Sequence, residues 1–261
     1  MTRGVLYVAT GERSIEFASI SLSYLRREEP DLPVAVFTDS EQKAKARQLF
    51  DEVFEARNPS FNWDDKIEGI ASSPFEETIY LDVDTVVLRP FASELFAGLN
   101  YFSLMVQGHY RYLFEWEGQE YPYCVSQFNT GVLAFRKEES REVWTLWREM
   151  RNKWPEGHDQ PTFRSALLES GIFFGRLGDE YNFGPRSSTF RPVRIVHFLS
   201  SQKERFSNER KRTRLLRRLR RLEYGPTTYV EDFEILLQEG RFSLRGIIRY
   251  LFRKYVLARF Q

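Results

Sequence analysis

The sequence predicts an α/β domain built on a mixed, mostly parallel sheet flanked by helices. Two observations carry that reading. Short apolar runs rich in Val, Phe and Tyr alternate with stretches of helical spacing up to about residue 202, and polar residues cluster in the segments that follow those runs. Ligands of such sheets gather beyond the carboxyl ends of the strands, so these segments are where function is expected.

In order, residues 5–9 read as a first strand and 16–27 as a helix, 34–38 as a second strand and 41–50 as a helix, then 78–82 as a third strand. The segments Thr10-Gly11, Thr38-Asp39 and Asp82-Val83-Asp84 lie at the three strand ends and are expected to share one crevice. Further on, 101–106, 130–135, 172–175 and 193–198 read as strands, and 141–153 and 160–168 as helices. No Gly/Ser linker interrupts the chain before about residue 203 and no internal repeat is present, so residues 1–202 read as one domain and 203–261 as a basic helical extension.

A chain of 261 residues can bury a substantial core. Its 23 Phe and 13 Tyr serve cores and ligand platforms alike. Cys124 is the only cysteine, which excludes an internal disulfide framework and fits a reducing compartment. The apolar run 5–9 is too short for a signal peptide or a membrane span, so a cytoplasmic protein is expected. The net charge of +1 hides a division: residues 203–261 carry 16 Lys and Arg against 7 Asp and Glu, leaving 22 against 30 in the rest.

Asp82 and Asp84 follow the apolar run Thr78-Ile79-Tyr80-Leu81 and precede Thr85-Val86-Val87-Leu88. Two carboxylates two residues apart share a strand face, or converge in a tight turn, and can grip one hard cation. Left alone beside an apolar strand they would be costly, because buried carboxylates need a cation, donors or protons. A solvated turn closing a strand is the plainer alternative.

Four further motifs follow in order. Lys66 lies in Asn62-Trp63-Asp64-Asp65-Lys66; Phe128-Asn129-Thr130-Gly131 opens a strand; His158-Asp159-Gln160-Pro161 opens a helix; Val196-His197-Phe198 ends the last strand of the domain. In this order and spacing the chain resembles the GT-A fold nucleotide-sugar glycosyltransferases, most closely family eight, which includes glycogenin and bacterial lipopolysaccharide galactosyltransferases. The resemblance spans residues 5–200.

The resemblance implies a transferase that moves a sugar from a nucleoside-diphosphate sugar, a UDP-sugar, to a glycan or lipid-linked acceptor with retention at the anomeric carbon. Asp82, Asp84 and His197 would hold Mn²⁺ or Mg²⁺; oxygen and imidazole together suit manganese somewhat better. Lys66 would pair with the diphosphate or the donor sugar, Asn129 would face the sugar, and Asp159 and Gln160 would hold its hydroxyls. Thr10, Gly11, Asp39 and Val83 complete the donor-binding set. The family places an aromatic soon after its first strand to stack on uracil, whereas this chain offers none there until Phe17.

In the basic extension, Arg210, Lys211, Arg212, Arg214, Arg217, Arg218, Arg220 and Arg221 surround Leu215, Leu216, Leu219 and Leu222 at helical spacing. The spacing recurs over Leu244, Ile247, Ile248, Leu251, Phe252 and Tyr255. Basic and aromatic residues together favour an anionic membrane surface, so peripheral association at the inner face of the membrane is expected. No base-reading module accompanies the charge, and no nucleic-acid partner is expected. Two other readings share the same acids: a haloacid-dehalogenase-like phosphatase with Asp82 as nucleophile, and a non-catalytic nucleotide-sugar or membrane-binding protein.

Overall fold

The computed structural model describes residues 2–109, 125–155, 158–184, 187–198, 202–222, 227–230 and 235–237; Cys124 and the second basic helix expected over 244–255 lie outside them. Two compact units make up the chain, Met1–Leu177 and Gly178–Gln261.

The first unit opens with β1 (Arg3–Val8), α1 (Glu12–Glu28), β2 (Val34–Thr38), α2 (Lys43–Ala46), β3 (Glu52–Glu55), α3 (Trp63–Ala71) and β4 (Glu77–Leu81). It continues through β5 (Thr85–Val87), α4 (Ala92–Gly98), β6 (Leu104–His109), β7 (Gln127–Arg136), α5 (Arg141–Lys153), α6 (Asp159–Glu169) and β8 (Phe174–Arg176). Seven strands form one sheet in the order β3-β2-β1-β4-β7-β6-β8. β3, β2, β1 and β4 run parallel, with Val8 beside Phe37 and Leu6 beside Tyr80. β7 runs against both β4 and β6. The carboxyl ends of β1, β2 and β4 therefore share one end of the sheet with the amino end of β7.

Every residue of β2 and β4 is buried, as strands covered on both faces require. Leu6, Ala35, Tyr80, Leu133 and Phe135 share a core with Ile67 and Ile70 of α3, Trp144 and Trp147 of α5 and Phe163 of α6. Tyr7 points the other way: its hydroxyl lies 2.9 Å from Ser21 Oγ, which seats α1 on the opposite face. Burial raises the Tyr7 phenol above its ordinary pKa, so the group stays neutral and its hydrogen bond holds. Between β7, α5 and α6 the aromatic rings meet edge to face, with Trp147 and Phe163 centroids 4.8 Å apart and Phe135 and Trp144 5.0 Å apart.

Three elements differ from expectation. The helix over 41–50 shrinks to α2, because only Ala46 of its four residues is buried and no apolar stripe seats a longer helix. The chain then forms β3, which pairs with β2 although Glu52 and Glu55 are exposed. β6 begins at Leu104, since Tyr101 and Phe102 close the turn after α4 by bonding Gly98 O at 3.0 and 3.2 Å.

The second unit holds a 3₁₀ turn (Asp179–Tyr181), β9 (Ser188–Thr189), β10 (Ile195–His197), α7 (Lys203–Ser207), α8 (Glu209–Arg220), β11 (Thr227–Val230) and β12 (Ile235–Leu237). Within the basic extension α7 and α8 are helical as expected, whereas the residues described after them are strands, β11 pairing antiparallel with β9 and β12. Thr227-Thr228-Tyr229-Val230 is β-branched and aromatic, a composition that fits a pleated strand. On α8, Leu215, Leu216 and Leu219 are buried, while Arg210, Lys211, Arg214, Arg217, Arg218 and Arg220 are exposed. Asn208 caps it, accepting from Lys211 N–H at 3.0 Å. Among the described residues no helix is long and apolar enough to cross a membrane.

The seat of α3 on the sheet is tight. A Cβ added at Gly69 would fall 2.4 Å from Val8 Cγ2 and 3.0 Å from Phe37 Cδ1, and the stiff Val8 cannot swing away. Gly69→Ala is expected to destabilise by about 1–3 kcal/mol through overpacking. Denaturant titration checks this, and an unchanged midpoint would show that α3 can lift without loss.

Candidate functional site

At the end of β4 the chain makes a tight turn, Asp82-Val83-Asp84, before entering β5. Its backbone is fixed on both sides: Asp82 N–H donates to Gly131 O at 2.8 Å, and Thr85 returns both its N–H (3.1 Å) and its hydroxyl (2.8 Å) to Asp82 O. Asp84 is buried, with 8% of its surface exposed, and Val83 is half-buried at the turn.

Beside this turn, α3 delivers Lys66. Asn62 caps the helix by accepting from Asp64 N–H at 2.6 Å, and Ile67 and Ile70 bury the face that sets the helix on the core. Lys66 Nζ lies 2.9 Å from Asp82 Oδ1, 2.9 Å from Thr130 Oγ1 and 3.7 Å from Asp159 Oδ2. Thr130 Oγ1 in turn donates a hydrogen bond to Asp159 Oδ2 at 2.8 Å. Burial alone would pull the Lys66 ammonium down in pKa, but Asp82, Asp159 and Asp84 outweigh it and hold the group above the ordinary lysine value. Tyr80 donates to Asp82 Oδ1 at 2.5 Å, and burial with the nearby carboxylates pushes its phenol well up. Lys66 and Tyr80 thus both meet Asp82 at Oδ1.

Asp159 occupies the first turn of α6, where the helix amino end favours a negative charge. The residue before it, His158, is the cap position. Trp147 Nε1 donates to Asp159 O at 3.1 Å, so the aromatic core sets the position of the carboxylate. Gln160 is half-buried in the same turn. Asn129 is buried at the amino end of β7 and folds its Oδ1 onto Gly131 N–H at 2.9 Å.

The loops after β1 and β2 are tied by two buried acids. Asp39 accepts from Gly11 N–H at 2.6 Å and Gln42 N–H at 3.3 Å. Gly11 has φ 83°, in the left-handed region that favours glycine. Asp65 accepts from Thr10 Oγ1 (2.6 Å), Ser60 N–H (2.7 Å) and Oγ (2.8 Å), and Phe61 N–H (2.8 Å). The sequence reading gave Asp65 and Tyr80 no role. The signal available for Asp65 is its place beside Lys66 in the motif Asn62-Trp63-Asp64-Asp65-Lys66, whereas Tyr80 is hidden inside an apolar strand. Phe17, the first aromatic after β1, is buried in α1.

In the second unit His197 ends β10, anchored by its N–H to Phe183 O at 2.9 Å. Its Nδ1 lies 2.9 Å from Asn182 Oδ1. An amide oxygen only accepts, so Nδ1 carries the proton and Nε2 the lone pair that ligates metals. Asp82 and Asp84 of the first unit and His197 of the second can each offer a metal one ligand atom. Two carboxylates and a neutral imidazole are a donor set that fits a divalent cation.

The chain matches no protein-family model and no curated protein sequence. Solved structures do match. The galactosyltransferase LgtC, solved in complex with donor and acceptor sugar analogs, aligns at 13% identity with a TM-score of 0.57, over 78% of this chain and 94% of its own. The glycosyltransferase GlyE of Streptococcus pneumoniae TIGR4 aligns at 15% identity with a TM-score of 0.57, over 85% of this chain and 61% of its own. These likenesses show the fold, which is GT-A.

The charge cluster has a pH signature. Because the folded state raises the Lys66 pKa, the stabilisation it gives is complete below the ordinary lysine value of about 10.4 and fades only as pH climbs through the higher folded value. Lys66→Met, which leaves Asp82 and Asp159 without their ammonium, is expected to cost about 3–5 kcal/mol. Melting curves of both proteins should show a constant gap from about pH 7 to pH 9, narrowing above about pH 10. A gap already closing by pH 9 would overturn the pairing.

Proposed function

We propose that this chain is a metal-dependent glycosyltransferase that moves a sugar from a UDP-sugar to a glycan or lipid-linked acceptor with retention. The observation that carries the reading is the cluster of Lys66, Asp82, Thr130 and Asp159 at the end of β4, in a fold shared with two glycosyltransferases. Asp82, Asp84 and His197 would hold the divalent ion, Mn²⁺ or Mg²⁺, which when bound supplies positive charge to the donor's two phosphates.

Cleavage of the bond between sugar and nucleoside diphosphate builds negative charge on the leaving phosphate. Lys66 is already protonated and held in place to meet it, so little reorganisation is needed at the moment of reaction. Asp159 faces the same cluster from α6 and would stabilise positive charge as it develops at the anomeric carbon, while Gln160 and Asn129 hold sugar hydroxyls. Thr10, Gly11, Asp39 and Val83 border the donor's nucleoside and diphosphate. The GT-A fold supports transfer over the phosphatase reading, and a preplaced ammonium supports turnover over binding alone.

The exposed arginines of α8 support a second part of the proposal. Its leucines are buried and leave a cationic face outward, suited to anionic lipid at the inner surface of a membrane. The protein would then be cytoplasmic and peripheral, acting on a lipid-borne acceptor.

Two measurements test this. In thermal-shift assays, a UDP-sugar together with Mn²⁺ should stabilise the protein where neither does alone, and Asp84→Asn should abolish the metal-dependent part while keeping the fold. An unchanged shift would place the ion elsewhere. Full-length protein should float with anionic liposomes at low salt and be released by high salt, whereas protein that stays unbound at low salt defeats the membrane assignment.

A further inference from the structure

Phe61 combines three properties that folding alone does not explain. It is 63% exposed. Its φ is 55°, a left-handed conformation that bulky side chains rarely adopt and that costs free energy. The surroundings nevertheless impose it: Phe61 N–H donates to Asp65 Oδ2 at 2.8 Å, and the same buried carboxylate holds Ser60 and Thr10. A strained backbone that buried groups hold in place, presenting an apolar ring to water, marks a ligand contact rather than a packing element.

The ring's position narrows the ligand. A Cβ at Gly11 would lie 3.5 Å from Phe61 Cδ1, so the ring stands over the bare backbone that leaves β1. Gly11 is in turn fixed by Asp39 at the end of β2. Five residues along, Lys66 faces the carboxylates of Asp82 and Asp159. Phe61 stands just before the cap of α3 and Lys66 within its first turns, so one short helix places both the aromatic ring and the ammonium. A flat apolar ring at one end and a cation at the other match a planar base joined to an anionic diphosphate.

We infer that Phe61 is the platform on which the base of the donor nucleotide stacks, with Asp65 as the positioning residue that holds the ring in its strained pose. The assignment rests on the nucleotide-sugar reading above and deepens it. Stacking on a π-face tolerates any base, so Phe61 contributes affinity and orientation, and the choice among bases falls to polar groups around it.

The experiment uses the full chain with Mn²⁺ and measures binding of UDP, ADP, GDP and CDP, and of inorganic pyrophosphate, which lacks a base. Phe61→Asn removes the ring yet tolerates the left-handed backbone, so it is expected to melt no lower than wild type. It should bind the preferred nucleoside diphosphate on the order of ten- to a hundredfold more weakly, with pyrophosphate affinity unchanged, and Phe61→Trp should restore binding. Phe61→Asn binding that nucleotide as tightly as wild type would overturn the platform while leaving the nucleotide-sugar reading intact. Wild type that binds none of the four nucleotides would overturn that reading and the platform with it.

Discussion

The ammonium of Lys66, buried against Asp82 and Asp159, is the interaction on which the rest of the site depends. An ion withdrawn from water is tolerable only when its partners stand within hydrogen-bond reach, so every element that supplies one must be placed to within a fraction of an ångström. Asp82 is pinned through its own backbone to Gly131 and Thr85. Asp159 is pinned through its carbonyl to Trp147, deep in the aromatic core. Thr130 closes the circuit by donating to one acid while accepting from the ammonium. The aromatic packing of α5 and α6 thus acts on the chemistry at one remove, by setting where a carboxylate can be.

Consecutive residues of α3 divide the work. Lys66 turns to the end of β4, while Asp65 turns to the loops after β1 and before the helix and gathers Thr10, Ser60 and Phe61. One short helix therefore fixes both the charged cluster at the end of β4 and the loop that carries Phe61. Its close seat on Val8 and Phe37, allowed by Gly69, makes that double duty possible. The cost appears as backbone strain at Phe61, kept because the buried acid over-determines the loop.

The second unit shows the same economy on a smaller scale. His197 is oriented by Asn182, which settles its tautomer, and its backbone is held by Phe183. On α8 the leucines are consumed by burial, so Arg210, Arg214, Arg217, Arg218 and Arg220 face outward through amphipathic spacing, while Arg212 is buried.

Much of this was legible in the chain itself. Apolar runs bounded by polar segments located β1, β2, β4 and β7 to within a few residues, because hydrophobic periodicity and burial are two expressions of one constraint. The order and spacing of Lys66, Asp82, Asp84, Asn129, Asp159 and His197 carry the resemblance on which the proposed chemistry rests. Weakly patterned segments escaped: α2 and β3 are short, charged and held by neighbours, and the strand pair after α8 follows a helix of opposite pattern. What only the tertiary structure decided were the long-range pairings. The reversed direction of β7 brings Thr130 beside Asp82, the loop before α3 sets Phe61 over Gly11, and Asp39 binds the backbone amide of Gly11. Periodicity is written into adjacent residues, whereas these contacts join positions 28 or more apart and exist only once the sheet has paired.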